Sequence, residues 1–328
     1  MLNQRRKVLK TLPLCMLLLL SFSPSRAQDN VKISGLAYLD YRYVLTSPDS
    51  DEEGENGFGY RRLYLTSDFT LSETFSVRAR LEAADNKRTP FLKDLYVHWK
   101  NIIGKGHNLM MGITSPPTYT VSEDFWGYRS LEKTIQDLNK IVSSRDLGIK
   151  LNGNIASDGS LKYGVMVGND TGGDAEEDKN KRVYGQIEWY PSDALTLTAG
   201  ADYATYFDDR KNHVNINSFA GFKGEGFRVG AEGFYKITDI EGVENGIDLY
   251  GITLFGAVQL QEAWEAIVRV DQVERDNLGV TSSNTFFLTG VAFSPHEDIQ
   301  IIPNVLVDKE SANDDPLITG RLTVNVNF

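Results

Sequence analysis

The chain is short of several things, and each shortage excludes something. Cysteine occurs once, at Cys15, so no disulfide can staple one copy of the chain and its stability must come from packing and backbone hydrogen bonding. Beyond residue 27 no run of 18 apolar residues occurs, so no helix is expected to cross a membrane. The four histidines, His98, His107, His213 and His296, share no ligand spacing with one another or with the cysteine. No G-x-S-x-G, phosphate loop or paired-carboxylate pattern stands out. The reading is therefore of a non-enzyme, with no catalytic residue, no metal and no cofactor. The acidic turn Asp49-Ser50-Asp51-Glu52-Glu53-Gly54 begins like a calcium loop, but Tyr60 stands where the closing Glu belongs. Basic residues are also in deficit, 34 against 45 acidic ones, which argues against nucleic-acid binding.

What is present begins with an address. Arg5, Arg6, Lys7 and Lys10 precede an apolar run from Leu12 to Leu20, and Ser25-Arg26-Ala27 places small residues where a signal peptidase reads. Residues 1–27 read as a cleaved export signal, leaving 28–328 as one unit. Cys15 lies inside the apolar run rather than after it, which speaks against a lipid anchor. Five of the 34 basic residues lie in this leader, so the remainder carries 29 against 45 acids, a net charge of −16.

The rest is rich in aromatics, 11%, and in glycine, 29 residues, a composition suited to many short strands and tight turns. Period-two patterning marks sixteen segments: 31–45, 58–69, 75–84, 92–100, 108–115, 145–153, 160–168, 182–190, 195–207, 213–222, 226–237, 247–260, 264–274, 284–294, 299–309 and 317–328. In the ninth, Leu195, Leu197, Ala199, Ala201 and Tyr203 alternate with Thr196, Thr198, Gly200 and Asp202. A soluble antiparallel sheet shows the same alternation, so the connections have to decide. Short links (70–74, 191–194, 223–225, 261–263, 295–298) alternate with longer polar ones (46–57, 169–181, 238–246, 275–283). That rhythm belongs to an up-and-down barrel of about 16 strands in the outer membrane of a Gram-negative bacterium. The chain ends on Leu322, Val324, Val326 and Phe328 in alternation, similar to the terminal strand that the barrel assembly machinery reads. Tyr41, Tyr43, Trp99, Trp189, Tyr190, Tyr203, Tyr206, Phe207 and Trp264 sit near strand ends, where interfacial belts want them.

One connection differs. Residues 116–144 form the third long loop, and Leu131, Ile135, Leu138 and Val142 recur there at helical spacing. The spacing predicts a helix over 131–142, capped by Ser130, with Glu132 in its first turn and Lys140 in its last. At roughly 18 Å it would fit inside the lumen of a 16-strand barrel and narrow it, the alternative being an outward cap or a subunit-contact latch. The polar faces of the first three strands predict a basic wall of Arg42, Arg62, Arg78 and Arg80. The loop carries Glu123, Asp124, Glu132 and Asp137, with Arg129 and Lys133 among them. A basic wall facing an acidic loop would set a field across the constriction. The alternative is that these arginines neutralise lumen acids such as Asp68, Glu82 and Asp94, and the two roles are compatible.

Tyr60-Arg61-Arg62-Leu63, Leu92-Lys93-Asp94-Leu95-Tyr96-Val97, Met111-Gly112-Ile113-Thr114-Ser115-Pro116, Ser144-Arg145-Asp146-Leu147-Gly148-Ile149 and Tyr163-Gly164-Val165-Met166-Val167-Gly168-Asn169 follow in order. Over about 58–170 this series resembles the phosphate-selective porin O and P family. The resemblance implies a sixteen-stranded porin, usually a homotrimer, passing small hydrophilic or charged solutes by diffusion, with anions such as phosphate in range. Its partners would be membrane lipid and lipopolysaccharide. The mixed signs of the expected lumen face, such as Glu232 between Arg228 and Lys236, depart from a pore lined with cations, so phosphate specificity is not carried over. The competing readings are a barrel with a plugged lumen and a structural or adhesive role, and a lipase-like barrel enzyme using His98 or His213.

Overall fold

In the computed structural model, which describes residues 30–207, 211–243 and 246–328, sixteen antiparallel strands close into one barrel. The leader expected at 1–27 lies outside the described residues. The strands are β1 (Val31–Thr46), β2 (Asn56–Thr70), β3 (Phe75–Ala84), β4 (Lys87–Trp99), β5 (Asn108–Thr114), β6 (Asp146–Asn154), β7 (Leu161–Gly168), β8 (Lys181–Ser192), β9 (Leu195–Tyr206), β10 (Lys211–Gly224), β11 (Phe227–Ile240), β12 (Ile247–Gln261), β13 (Trp264–Asn277), β14 (Val280–His296), β15 (Ile299–Glu310) and β16 (Leu317–Asn327). Each pairs with its neighbours in sequence, and β1 closes on β16. Closure removes the unpaired edge that an open sheet would present. All sixteen expected segments are strands. The largest shifts in their bounds are at β4, which starts at Lys87, and β14, which starts at Val280.

The alternation settles which face is which. On β10, Val214 and Ile216 point outward, Ile216 with 58% exposure, while Asn215 and Asn217 are buried inside. Registers extend this across the wall: Gln186, Gly200, Asn217 and Phe234 form one inward row, and Gly185, Ala201, Ile216 and Tyr235 the outward row beside it. The apolar surface is thus outside and the polar surface inside, the reverse of a soluble domain. No helix among the described residues is long and apolar enough to cross a membrane.

The rhythm of connections is less strict than expected. One rim carries the short turns, including 71–74, 193–194, 225–226, 262–263 and 297–298. The other carries the longer loops, but two of its links are tight. The stretch 275–283 is mostly strand, closed by Leu278-Gly279, and β3 joins β4 through Asp85-Asn86. Leu278 and Gly279 take φ of +57° and +87°, the left-handed pair that a two-residue hairpin turn requires. Pairs of aromatic rings ring the outer face near both rims: Phe75–Trp99 at 5.1 Å and Trp264–Phe293 at 4.5 Å on the short-turn side, and Tyr41–Phe58 at 4.9 Å and Tyr235–Tyr250 at 6.2 Å on the other. Two of the expected belt residues face inward instead. Tyr190 donates to Glu188, and Tyr206 donates to Asp170. Each follows an outward neighbour on an alternating strand, so it has to turn into the lumen.

The seam is closed by the last residue. The Gly35 N–H donates to the Phe328 carbonyl at 2.5 Å, and the Phe328 N–H donates to the Gly35 carbonyl at 3.0 Å. The Phe328 ring lies over Gly35, where an added Cβ would fall 2.3 Å from ring carbons. Gly35→Val should therefore displace the ring and cost about 1–3 kcal/mol by overpacking. Heat-dependent gel mobility should show the folded barrel converting several degrees lower. Gly57→Ala, where a Cβ meets nothing within 4 Å, should leave the conversion unchanged.

Candidate constriction inside the barrel

The link between β5 and β6 turns into the barrel and packs there. Its first helix, α1 (Pro117–Trp126), starts on Pro117, whose fixed φ suits the first helical position and whose missing N–H would be unpaired there anyway. It stops at Gly127, left-handed at φ +71°, whose N–H reaches the Glu123 carbonyl at 3.1 Å. A single turn, α2 (Ile135–Leu138), follows. The helix expected over 131–142 is not formed. Ser130 caps nothing: its buried Oγ has no partner among the described residues. Lys140 leaves the helical region at φ +57°. Leu131, Ile135 and Val142 are buried as their spacing suggested, but Leu131 packs in one cluster and Ile135 and Val142 in another.

The reason lies in the carbonyls. A helix over this span would use the Leu131 and Lys133 carbonyls internally. Here wall arginines take them. Arg321 donates to the Leu131 carbonyl at 2.5 Å, and Arg61 donates to the Ser130 and Leu131 carbonyls. Arg269 donates to the Lys133 carbonyl at 2.5 Å, and Arg182 to the Ile141 carbonyl at 2.7 Å. The four arginines stand on β2, β8, β13 and β16, so the loop is tied from around the barrel. Tyr119 adds a bond to the Ser144 carbonyl at 2.6 Å. Burial pushes the Tyr119 phenol well above its ordinary pKa, so it remains a donor.

Two apolar clusters complete the seat. Phe125, Trp126, Tyr128 and Leu131 pack on Phe219, Phe255, Phe286 and Leu288. Tyr119, Ile135, Ile141 and Val142 pack on Met166, Tyr184, Phe234 and Leu249. Phe125 fits because residue 221 is glycine: a Cβ there would meet its ring at 2.5 Å. Glu232, 2% exposed, accepts from Ser122 on α1 at 2.9 Å and from Gln136 on α2 at 2.6 Å, joining both helices to β11. The loop thus fills the β7–β15 side and leaves its charged edge facing β2–β4.

The wall residues named from sequence are present in varied settings. Arg62 pairs with Glu82 at 3.1 Å, Arg78 with Asp68 at 2.7 Å, and Arg80 with Asp94 at 3.2 Å. Arg42 stands apart at the mouth, exposed and 3.8 Å from Glu55. On the loop, Arg129 bridges Glu123 and Asp137, the latter at 2.8 Å, and Lys133 lies 3.9 Å from Asp137. The acids Glu123 and Asp137 are thus taken up inside the loop rather than across the gap. Asp124 is exposed, and neither it nor Glu132 forms an ion pair among the described residues.

Sequence alternation missed Arg61 and Lys93. A β-bulge at Arg61, opposite Tyr38 and Leu39, turns both Arg61 and Arg62 inward, and Arg61 pairs with Asp40. A second bulge at Lys93 does the same for Lys93 and Asp94, placing the Lys93 ammonium 3.0 Å from Glu82. Adjacent charges within an alternating strand were the available signal, because one of the two would otherwise face the apolar exterior. Arg145 also pairs with Asp94. On this side Arg61, Arg62, Arg78, Arg80 and Lys93 from the wall, with Arg145 from the end of the link, are paired with Asp40, Asp68, Glu82 and Asp94. The loop 116–144 sets Arg129, Lys133 and Lys140 against four acids, an excess of one negative charge. Between them lies a cavity of about 360 Å³, lined by Arg62, Glu82, Lys93, Arg129, Glu132 and Asp137 among others. A wider vestibule of about 850 Å³ shares Arg61, Asp85, Asn86 and Glu132 with it.

The histidines sit outside this gap. His213 packs on Tyr206 at 5.4 Å between ring centres, with Nε2 3.6 Å from Asp202, and His107 meets the Tyr163 hydroxyl at 3.0 Å. His296, Glu297 and Asp298 form an exposed cluster with donor atoms within 4.8 Å of one another, on the short-turn rim.

No protein-family model matches the chain, and no curated protein matches it in sequence. Solved structures do match in shape. An anion-selective porin from Comamonas acidovorans superposes with a TM-score of 0.69 at 12% identity, over 91% of this chain and 99% of that one. OmpT in trimer form, an outer membrane protein of Vibrio cholerae, gives 0.66 at 12%, over 91% and 99%. The outer membrane channel DcaP of Acinetobacter baumannii gives 0.64 at 12%, over 91% and 97%. At these identities the likeness is one of fold.

Arg182→Met should show what the arginine ties are worth. It strands the buried carboxylates of Asp170 and Asp202, which Arg182 holds at 2.9 and 2.6 Å, and frees the Ile141 carbonyl. Breaking such a buried pair costs about 3–5 kcal/mol. Limited proteolysis should cut within 116–144 in the variant under conditions that spare the parent. Arg78→Met, at a half-exposed pair outside the loop's ties, should leave the cleavage pattern unchanged.

Proposed function

We propose that this chain is an outer-membrane porin that lets small hydrophilic solutes and ions diffuse passively, and that it is not an enzyme. The observation that carries this reading is a closed sixteen-strand barrel with an apolar exterior, a charged interior and one loop tied inside it. Apolar outer faces between aromatic rings suit a bilayer, and a charged lumen suits water and ions rather than a folded core. The constriction would lie between Arg62 and Lys93 on the wall and Glu132 and Asp137 on the loop. Arg42 at the mouth would act on entry, and Arg78 would line the lumen towards the short-turn rim.

The leader 1–27 is proposed to direct export and to be removed after Ala27. Phe328, exposed at the seam, would serve recognition by the assembly machinery. The similar barrels include a trimer form, and a homotrimer in contact with lipid and lipopolysaccharide is proposed here. The selectivity proposed is weak. An anion-selective porin shares the fold, but here the wall arginines named from sequence each have an acid beside them, unlike a pore of free cations for phosphate. The plugged-barrel reading draws on the two apolar clusters that seat the loop, and one measurement separates it from the porin reading.

The mature chain, reconstituted in a planar bilayer in KCl, should give steady conductance steps, grouped in threes if the trimer persists. Replacing 118–143 with a short Gly-Ser linker should raise the conductance several-fold, because the loop occupies the lumen. A correctly folded barrel without conductance, which opens only on loop removal, would establish the plugged barrel instead.

A further inference from the structure

The vestibule of about 850 Å³ has an apolar stretch of wall near the long-loop rim. The strand registers set Phe286, Asp308 and Leu317 side by side in a single inward row of β14, β15 and β16. Leu306 and Glu310 take the inward positions of β15 before and after Asp308, and Glu310 stands opposite Asn284. Val273 of β13 and Leu138 of α2 extend the apolar surface. Val273 and Phe286 are buried in the clusters that seat the loop, but Leu138, Leu306 and Leu317 are only half-buried. In a water-filled lumen such leucines contribute nothing until something removes their surface from water.

The charge on this cavity is of one sign. Asp40, Asp85, Glu132, Asp271, Asp308 and Glu310 line it against Arg42, Arg61 and Arg321, so acids are in excess by three. Counting their further partners, Glu55 beside Arg42 and Arg269 beside Asp271, leaves that excess unchanged. Asp271, next to Phe286 in the same row, is thus taken by Arg269. Asp308 and Glu310 are not taken in this way. Asp308 accepts from the Asn284 amide at 2.5 Å, and neither acid forms an ion pair among the described residues.

We infer that this stretch of wall is a binding subsite for small amphiphilic organic cations, the apolar body lying on Leu138, Leu306 and Leu317 and the ammonium reaching Asp308 and Glu310. The inference rests on the porin reading and adds a solute class to it. Apolar surface with a few placed polar groups is the usual makeup of a small-molecule site. A purely hydrophilic cation leaves the leucines wet, and an amphiphilic anion meets the carboxylates. The wall therefore separates both from a solute that carries body and positive charge together. Strand pairing on both sides of Asp308, with the bond from Asn284, positions that carboxylate before the solute arrives.

The test uses the full mature protein in a planar bilayer at low KCl, with phenethylammonium as the probe on both sides. Methylammonium is the control for charge without a body, and 3-phenylpropanoate for a body with the opposite charge. Phenethylammonium should interrupt the current at concentrations roughly tenfold below either control. Asp308→Asn combined with Glu310→Gln should abolish the advantage over 3-phenylpropanoate and keep that over methylammonium. Leu317→Ser should do the reverse. Folded gel mobility checks each variant, and Leu138→Ser, off the barrel wall, repeats the second comparison if Leu317→Ser does not fold. Equal interruption by all three compounds, or an unchanged advantage over 3-phenylpropanoate in the acid double variant, overturns the inference. An absence of KCl steps in the parent would instead overturn the porin reading on which it rests.

Discussion

Everything inside this barrel depends on how an irregular segment of backbone is satisfied away from bulk water. A loop in the lumen brings carbonyls that no strand ladder pairs, and leaving each buried carbonyl unbonded costs about 1–3 kcal/mol. The chain meets that cost with arginines on β2, β8, β13 and β16, each donating to the loop backbone. Arginine suits the task because its planar fork can hold a carboxylate with one side and a carbonyl with the other. Arg182 does this with Asp202 and the Ile141 carbonyl, and Arg269 with Asp271 and the Lys133 carbonyl. The loop's position is thus built into the wall's charge pairs, and the same pairs decide which charges remain unpaired in the lumen.

That coupling explains why the interior is neither a basic tube nor an apolar core. The β7–β15 side takes the aromatic cluster around Phe125 and Trp126, with Arg269 lying 5.4 Å over the Trp126 ring. The β2–β4 side keeps water-facing charge. Its two β-bulges put adjacent charged residues on the same face, which raises the inward charge density of β2 and β4.

The barrel was legible because its pattern is carried by every strand. A period of two sustained over sixteen segments, with turns between, survives errors at any one of them. The tight turn at Leu278-Gly279 shows where local chemistry overrode the count: the loop expected over 275–283 is strand on both sides of a two-residue turn. The constriction was legible only in part. Apolar spacing correctly marked Leu131, Ile135 and Val142 for burial, but periodicity cannot see that arginines distant in sequence will compete for the helix's own carbonyls. The helix that does form carried its own signals, a proline at its first position and a glycine just past its end, and an apolar stripe search passes over these. Arg62, Arg78 and Arg80 were placed on the right face by alternation. Their partners Glu82, Asp68 and Asp94 were read as the alternative to a charged wall, and the structure has both at once.

If wall arginines hold the loop in one place, a distance can show it. In a chain beginning at Gln28, which is free of cysteine, spin labels at positions 140 and 310 would report the loop against the end of β15. The parent barrel should give one narrow distance distribution, and a broad or shifted one should appear when Arg269 and Arg321 are both replaced by Met. An unchanged narrow distribution in that double variant would contradict it, because the apolar clusters alone would then suffice to place the loop.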